Sequence, residues 1–302
     1  MKMCKVSVCM LTYNHLPFIR DAIDSVLMQQ TDFDFELLIN DDNSIDGTTE
    51  VLFEYQKKYP DIIRVVTHKE NQHNKGVQDA YVRFLFPMAK GEYIAMNDGD
   101  DYFTDEHKLQ KLSDFLDGKP KTSVVFNKTR IIFPDDPEMS PEFMPTSETV
   151  MRGLDLVGLV QKNYMRVNSI MYRKSAIERI NKYVNFKGCY AVDWSMNLYA
   201  ARAGEIGYID EVMGEYRRHK DCVSYNAHKS IERLLVEKWL PIQRRYFEEY
   251  KFLSGEAKRI TAEKIRDHNA ALNPLPVPRN TKRWWKLLLL LRYKGLVREV
   301  LH

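Results

Sequence analysis

Along the first half of the chain, short unbroken apolar runs alternate with stretches whose apolar residues recur every three or four positions. Val6-Ser7-Val8-Cys9-Met10-Leu11, closed by Thr12-Tyr13-Asn14, predicts a buried strand. Phe18, Ile19, Ala22, Ile23, Val26 and Leu27 then fall on one face of a helix. Phe35-Glu36-Leu37-Leu38-Ile39 predicts a second strand, ending in Asn40-Asp41-Asp42-Asn43-Ser44. Asp46-Gly47-Thr48-Thr49 can start the next helix, with Val51, Leu52, Tyr55 and Tyr59 on its core face. A third strand at Ile62–Val66 leads through a polar loop, Glu70 to Lys75, and Gly76 to a helix marked by Val77, Ala80, Tyr81, Phe84, Leu85 and Met88. Tyr93-Ile94-Ala95-Met96 is the fourth strand, Leu109, Leu112, Phe115 and Leu116 mark another helix, and Ser123 to Asn127 another strand.

Strands written as continuous apolar runs, alternating with helices, predict an α/β fold with a mostly parallel sheet covered on both faces. In such open sheets ligands bind beyond the carboxyl ends of the strands. Tyr13, Asp42 and the turn Asp98–Asp101 all stand at such ends, so they are expected to converge on one cleft.

After residue 130 the alternation breaks. Pro134 to Ser147, rich in Pro, Asp, Glu and Ser, predicts a long loop. Asn168–Tyr172 reads as a strand, Ser175–Tyr183 and Ala191–Ala203 as helices, and Gly207-Tyr208-Ile209 as a short strand before Tyr216-Arg217-Arg218-His219. Lys229 to Leu272 is helical in pattern, interrupted at Pro241 and Gly255, and Asn273–Pro278 is a proline linker. The expected division is a domain at 1–226 (halves 1–127 and 128–226), a helical C-terminal extension at 227–272, and a linker and tail at 273–302.

Composition narrows the class. The 302 residues are 44% hydrophobic and 29% charged, as in a soluble globular protein. Four scattered cysteines without Cys-x-x-Cys spacing and the lack of a signal peptide fit a reducing cytoplasm. No apolar stretch reaches the roughly 18–20 residues that span a bilayer. The net charge of +3 conceals a basic tail, since residues 279–302 hold seven Lys/Arg against one Glu and leave the rest slightly acidic. No basic stripe runs along the fold, which argues against nucleic-acid binding.

The chemistry centres on Asn97-Asp98-Gly99-Asp100-Asp101. Gly99 allows a sharp turn, and carboxylates crowded this closely stay ionised most cheaply around a cation. Hard oxygen ligands in a small turn suit Mg²⁺ or Mn²⁺ completed by substrate phosphates. Taken alone, the segment reads equally as a solvated acidic turn.

Met10-Leu11-Thr12-Tyr13-Asn14-His15, Ser25-Val26-Leu27-Met28-Gln29, Asp41-Asp42-Asn43-Ser44-Ile45-Asp46-Gly47-Thr48 and Gly91-Glu92-Tyr93-Ile94…Asp98-Gly99-Asp100-Asp101-Tyr102 occur in that order. With them the chain resembles a family 2 glycosyltransferase of the GT-A, Rossmann-like fold, in the bacterial subgroup that builds capsule, O-antigen and other surface polysaccharides. The resemblance is strong over residues 4–120 and continues in pattern to about residue 226. It implies an enzyme that moves a sugar from a nucleoside-diphosphate sugar, a UDP-sugar first among the candidates, to a hydroxyl of a saccharide or lipid-linked saccharide, with inversion.

The resemblance also implies roles. Tyr13 covers the nucleobase, with Thr12 beside it, and Asp42 bonds base or ribose. Asp98, Asp100 and Asp101 hold ribose and a Mn²⁺ or Mg²⁺ ion, Asp100 being the leading ligand. His219, in a Tyr-Arg-x-His-like segment, reaches the metal or diphosphate, and Arg217 or Arg218 offsets phosphate charge. Asp193, in Val192-Asp193-Trp194 where valine replaces the usual acid, is the catalytic base, and Trp194 packs under the acceptor sugar. Asp41 and Asp46 read as well as helix caps, and Ser44, Asp46 and Thr48 as turn residues. The chain departs from the family at Asn74-Lys75-Gly76, which lacks the usual small and Asn/Arg residues, and its following helix is one residue longer than usual.

In the tail, Trp284-Trp285, Leu287–Leu291 and interspersed Lys and Arg resemble an interfacial membrane segment at the inner face of the plasma membrane. Docking on the protein's own body fits the poor segregation of its charges nearly as well. Two rival functions remain open: a sugar nucleotidyltransferase, which should show a glycine-rich phosphate loop where residues 12–20 have none, and a non-catalytic nucleotide-sugar-binding module, which would not require Asp193.

Overall fold

The computed structural model describes residues 4–136, 138–151, 153–161, 163–178, 180 and 192–222. The expected extension, linker and tail therefore lie outside the described residues, as do Cys189 and the end of the helix expected at 175–183. The apolar runs form β1 (Cys4–Thr12), β2 (Asp34–Asp41), β3 (Ile63–Thr67), β4 (Tyr93–Asp98) and β6 (Thr122–Ile132), with short strands β5 (Tyr102–Phe103) and β7 (Glu142–Met144) beside them. β8 (Ile170–Arg173) and β9 (Glu205–Arg217) complete a nine-stranded sheet. Its order is β3-β2-β1-β4-β8-β6-β9-β5, with β7 on β6.

Strands β3, β2, β1 and β4 run parallel, and β8 joins antiparallel to both β4 and β6. The first half is thus an α/β sheet and the second a mixed one, and the switch falls at β4, whose residues Tyr93–Ala95 pair with β8. The helices are α1 (Ile19–Leu27), α2 (Thr48–Lys58), α3 (Lys108–Gly118), α4 (Ser147–Met151), α5 (Leu156–Gln161), α6 (Lys174–Ile177) and α7 (Val192–Ala203). Ile19, Ile23 and Val26 of α1 and Leu109, Leu112 and Leu116 of α3 pack with Val6, Val8, Met10, Leu37 and Ile39 of the central strands. Cys9, Leu38, Ile94 and Met96, which alternate with the neighbours facing that core, are buried as well, so both faces are covered. Burial of each large apolar side chain contributes about 1.5–3 kcal/mol. None of the described helices is long and apolar enough to cross a membrane.

Three elements differ from expectation. The helix expected at 77–88 is a π-helical turn, Tyr81–Leu85, running into a 3₁₀ turn, Phe86–Met88. Pro87 has no amide hydrogen with which to continue an α-helix, and a π-turn takes up a surplus residue inside a helical segment. The loop expected at 134–147 contains β7, whose three residues are too few for a strand pattern to show. The strand expected at 207–209 extends over residues 205–217, because exposed Asp210 and Glu211 interrupt its apolar run at a bulge against β6.

At the amino ends of the strands, buried Glu36 is satisfied by Ser7 Oγ at 2.7 Å, the Lys90 amide at 2.7 Å and the Arg64 guanidinium. The Gly91 amide donates to Ser7 Oγ at 2.9 Å, drawing the approach to β4 against β1. A Cβ on Gly91 would meet Ser7 N at 2.5 Å and Val6 C at 2.8 Å, both backbone. Gly91→Ala should therefore cost at least the roughly 1–3 kcal/mol of an overpacked core in urea denaturation. Gly118→Ala, with nothing within 4 Å of its added carbon, should be neutral or stabilising; equal losses in both would refute the packing argument.

Candidate active site

The β1–β4 register sets Leu11 opposite Asp98, and the Gly99 amide donates to Leu11 O at 2.8 Å. A Cβ on Gly99 would lie 2.7 Å from Thr12 Oγ1 and 2.9 Å from His15 Nδ1. Gly99 lies in the turn expected here, and it is needed in addition for this close approach. The acidic turn is thereby pressed against the end of β1.

Asp98, Asp100 and Asp101 bring their carboxylate oxygens within 4.8 Å of one another. Asp98 accepts the Tyr81 hydroxyl at 2.5 Å, and the same hydroxyl lies 2.8 Å from Asn97 O. Asp100 Oδ2 is 3.2 Å from His219 Nε2 and 3.8 Å from His15 Nε2. Asp101 is fully buried, and its Oδ1 accepts the Arg217 amide at 2.8 Å. Burial and the charge of Asp100 push the Asp98 carboxyl up to about 7 and Asp101 well above the carboxylate range. For Asp100, burial acts in the same direction but is outweighed by the His219 hydrogen bond and the nearby imidazoles, which hold it below its ordinary value. Burial lowers the His15 pKa.

The cluster suits a divalent cation. Among the described residues, no Lys or Arg side chain forms an ion pair with these three carboxylates. Asp101 Oδ2 is buried without a partner. Hard carboxylate oxygens, with His219 at their edge, match the ligand preferences of Mg²⁺ and Mn²⁺.

Tyr13, directly after β1, is 42% exposed, whereas Thr12 is buried. Asp42 accepts the Gln72 amide at 2.6 Å and the His73 amide at 3.0 Å, anchoring the loop after β3 to the end of β2. The ribose or base contact expected of Asp42 must use its remaining lone pairs. Asp41 accepts Ser44 Oγ at 2.5 Å, and Asp46 accepts the Thr48 amide at 3.0 Å and the Leu16 amide at 2.9 Å. These bonds spend Asp41 and Asp46 on the turn.

Asp193 lies in the first turn of α7, where the helix dipole favours an acid. Its Oδ2 accepts Asn163 Nδ2 at 2.8 Å, and Asn163 Oδ1 accepts Asn197 Nδ2 at 3.2 Å. Asn197 also accepts the buried Tyr172 hydroxyl. Burial raises the Asp193 pKa above the usual carboxylate value, against the pull of its hydrogen bonds and of Arg166. The charge of Asp193 in turn helps raise Asp98, so the two acids share one electrostatic neighbourhood.

Two expected contacts need correction. Trp194 is 1% exposed, and its indole N–H donates to Leu159 O at 2.7 Å. It packs in the core and offers no face to a sugar. Arg217, expected at a diphosphate, binds Asp21 at 2.6 Å and Asp100 O at 3.0 Å while stacking 4.3 Å from the Tyr102 ring centroid, so it braces the turn instead. Arg218 contacts Glu142 at 3.5 Å. Sequence reasoning overlooked His15, Tyr81 and Asn163. The place of His15 directly after Thr-Tyr-Asn was an available signal, whereas nothing marked Asn163.

A nine-stranded α/β sheet with an aspartate triad at the carboxyl end of a central strand defines a GT-A-type glycosyltransferase fold. Residues 7–180 match the family described as Glycosyl transferase family 2, and the chain belongs to it. An uncharacterized protein of Mycobacterium tuberculosis is 35% identical over 224 residues, 74% of this chain and 61% of the relative, so the chain spans somewhat less than two thirds of that protein. Staphylococcus aureus TarS 1–349 in complex with UDP-GlcNAc superposes with a TM-score of 0.61 at 19% identity, covering 89% of this chain and 75% of that one. Mannosyltransferase PcManGT from Pyrobaculum calidifontis, in complex with GDP-Man and Mn²⁺, gives 0.58 at 17% identity, covering 95% and 85%.

If the triad binds a divalent ion, Mn²⁺ at 100 times its Kd should stabilise the protein by about 2.7 kcal/mol in a melting titration. Asp100→Ala should lose that gain; a shift as large as in the unsubstituted protein would refute the site.

Proposed function

We propose that the chain is an inverting, metal-dependent glycosyltransferase that moves a sugar from a nucleoside-diphosphate sugar, a UDP-sugar first, to a hydroxyl of a saccharide acceptor, lipid-linked in surface-polysaccharide assembly. The observation that carries the reading is Asp193, a half-buried carboxylate held by Asn163 and electrostatically linked to the Asp98–Asp101 triad. Family membership supports glycosyl transfer, and the nucleotide sugars bound by TarS and PcManGT support the donor class.

In this reading Tyr13 covers the base, with Thr12 and Asp42 beside the nucleoside, and Asp98, Asp100 and Asp101 hold the cation together with His219. When bound, the cation offsets the charge gathering on the departing diphosphate. Asp193 accepts the acceptor hydroxyl's proton as that oxygen bonds to the anomeric carbon and the carbon–diphosphate bond breaks. Its raised pKa favours this role, because a base nearer the working pH holds the proton more firmly. Residues 1–226 would form the catalytic unit in the cytoplasm, with 227–302 supplying the helical extension and a tail that brings it to the membrane.

A melting screen of nucleotide sugars with Mn²⁺ should identify a stabilising donor. With that donor Asp193→Asn should retain binding and lose about 10²–10⁴-fold in kcat. NMR of early product should show the inverted anomer; retained configuration or an active Asp193→Asn protein would overturn the assignment.

The pH profile supplies a separate check. A raised Asp193 pKa means that transfer falls, on acidification, at a higher pH than an ordinary aspartate would give. The Asn163 bond favours the ionised form, so Asn163→Ala should move this acid limb to higher pH. An unmoved limb would separate Asp193 from the titration.

A further inference from the structure

Arg166 precedes the 3₁₀ turn Val167–Ser169 in extended conformation, and its carbonyl accepts the Ser169 amide and hydroxyl at 2.9 and 2.7 Å. The backbone is thus held, but the guanidinium is poorly matched. Its Cζ lies 5.1 Å from the Tyr216 ring centroid, and Nη2 is 3.8 Å from Met144 Sδ, a weak acceptor. Nε is buried with no hydrogen-bond partner. Among the described residues no carboxylate forms an ion pair with Arg166, although guanidinium groups removed from water ordinarily pair.

Another cation stands close by. Arg218, its side chain 9% exposed, contacts Glu142 at 3.5 Å and lies with Cζ 5.4 Å from the Phe133 ring centroid. Glu142 and Met144 are two apart on β7 and share one face, as alternate strand residues do. Both arginines therefore address the same side of this short strand. Burial, and after it the charge of Arg166, make the Arg218 proton easier to lose than usual, so the two cations lie within each other's field. Asp193 feels Arg166 as well. The result is a pair of neighbouring guanidinium groups, of which Arg166 lies within the field of Asp193 and has no carboxylate partner among the described residues.

We propose that Arg166, with Arg218 beside it, forms an oxyanion subsite for the acceptor, whose chemical class is a phosphate- or carboxylate-bearing saccharide or polyol. A planar guanidinium with unspent donors matches a two-oxygen anion in a way that a neutral sugar does not. An anion held there would also offset the repulsion between the two arginines. The inference deepens the reading of Asp193 as base and rests on it: the anionic group anchors the acceptor while a neighbouring hydroxyl meets Asp193.

The test uses the full chain saturated with UDP and Mg²⁺, or with whichever nucleoside diphosphate the melting screen selects, so that the donor's phosphate site is filled. Inorganic phosphate and glucuronate are then titrated separately by calorimetry. At least one should bind, and Arg166→Gln should weaken that binding tenfold or more, with Arg166→Lys falling between and nucleotide affinity unchanged within twofold. Phosphate alone binding identifies a phosphate-bearing acceptor, and glucuronate alone an acidic sugar. If neither anion binds the saturated protein, or Arg166→Gln binds as well as the unsubstituted chain, the subsite is refuted. Failure of every nucleoside diphosphate to bind in the first titration would instead refute the proposed function.

Discussion

Three carboxylates confined to one turn repel each other, and the surrounding structure is arranged around that repulsion. Two unit charges 4.8 Å apart oppose one another by about 3.5 kcal/mol at an effective dielectric constant of about 20. Two remedies are open: proton uptake, visible in the raised Asp98 and Asp101, or a cation. The protein side of the site is only half a solution. It supplies the Tyr81 hydroxyl to Asp98, imidazoles to Asp100 and the Arg217 amide to Asp101, but no lysine or arginine side chain to any of them among the described residues. Each aspartate is held from behind while its charge is left for a ligand.

Holding such a turn still requires a stiff base. The parallel half of the sheet provides it, because β1 and β4 are paired up to Leu11 and Asp98 and buried on both faces. At the opposite ends of these strands, Glu36 and the close Gly91 contact prevent slippage. A register shift of one residue would turn Asp98 to the other face of the sheet. Stability at one end of the sheet thus serves geometry at the other.

Most of this scaffold was legible in the sequence, since buried parallel strands write themselves as unbroken apolar runs and amphipathic helices as a repeat of three to four. Asp98, Asp100 and Asp101 could be picked out because their crowding is local. Trp194 was misjudged because adjacent side chains on a helix point apart, so that Asp193 meets Asn163 while Trp194 turns into the core. Nothing in sequence links Asn163 to Asp193, thirty positions away, or Tyr81 to Asp98, because those contacts arise from tertiary packing. The part of β9 beyond Ile209 was hidden by exposed Asp210 and Glu211, which interrupt its apolar pattern at the bulge.

The missed half of this strand matters most at its far end. Tyr216 lies beneath Arg166, Arg217 gives its amide to Asp101 and its guanidinium to Asp21 and Asp100 O, Arg218 reaches Glu142, and His219 approaches Asp100. Four consecutive residues therefore touch both the aspartate triad and the arginine pair near Asp193. Alternation along an extended chain explains the division, with Tyr216 and Arg218 turned to one side and Arg217 and His219 to the other. A displacement of this short segment would move both groups of contacts together. The aspartate triad and the arginine pair are accordingly not independent groups. They are two faces of one strand end, and their separation is set by the width of the backbone between them.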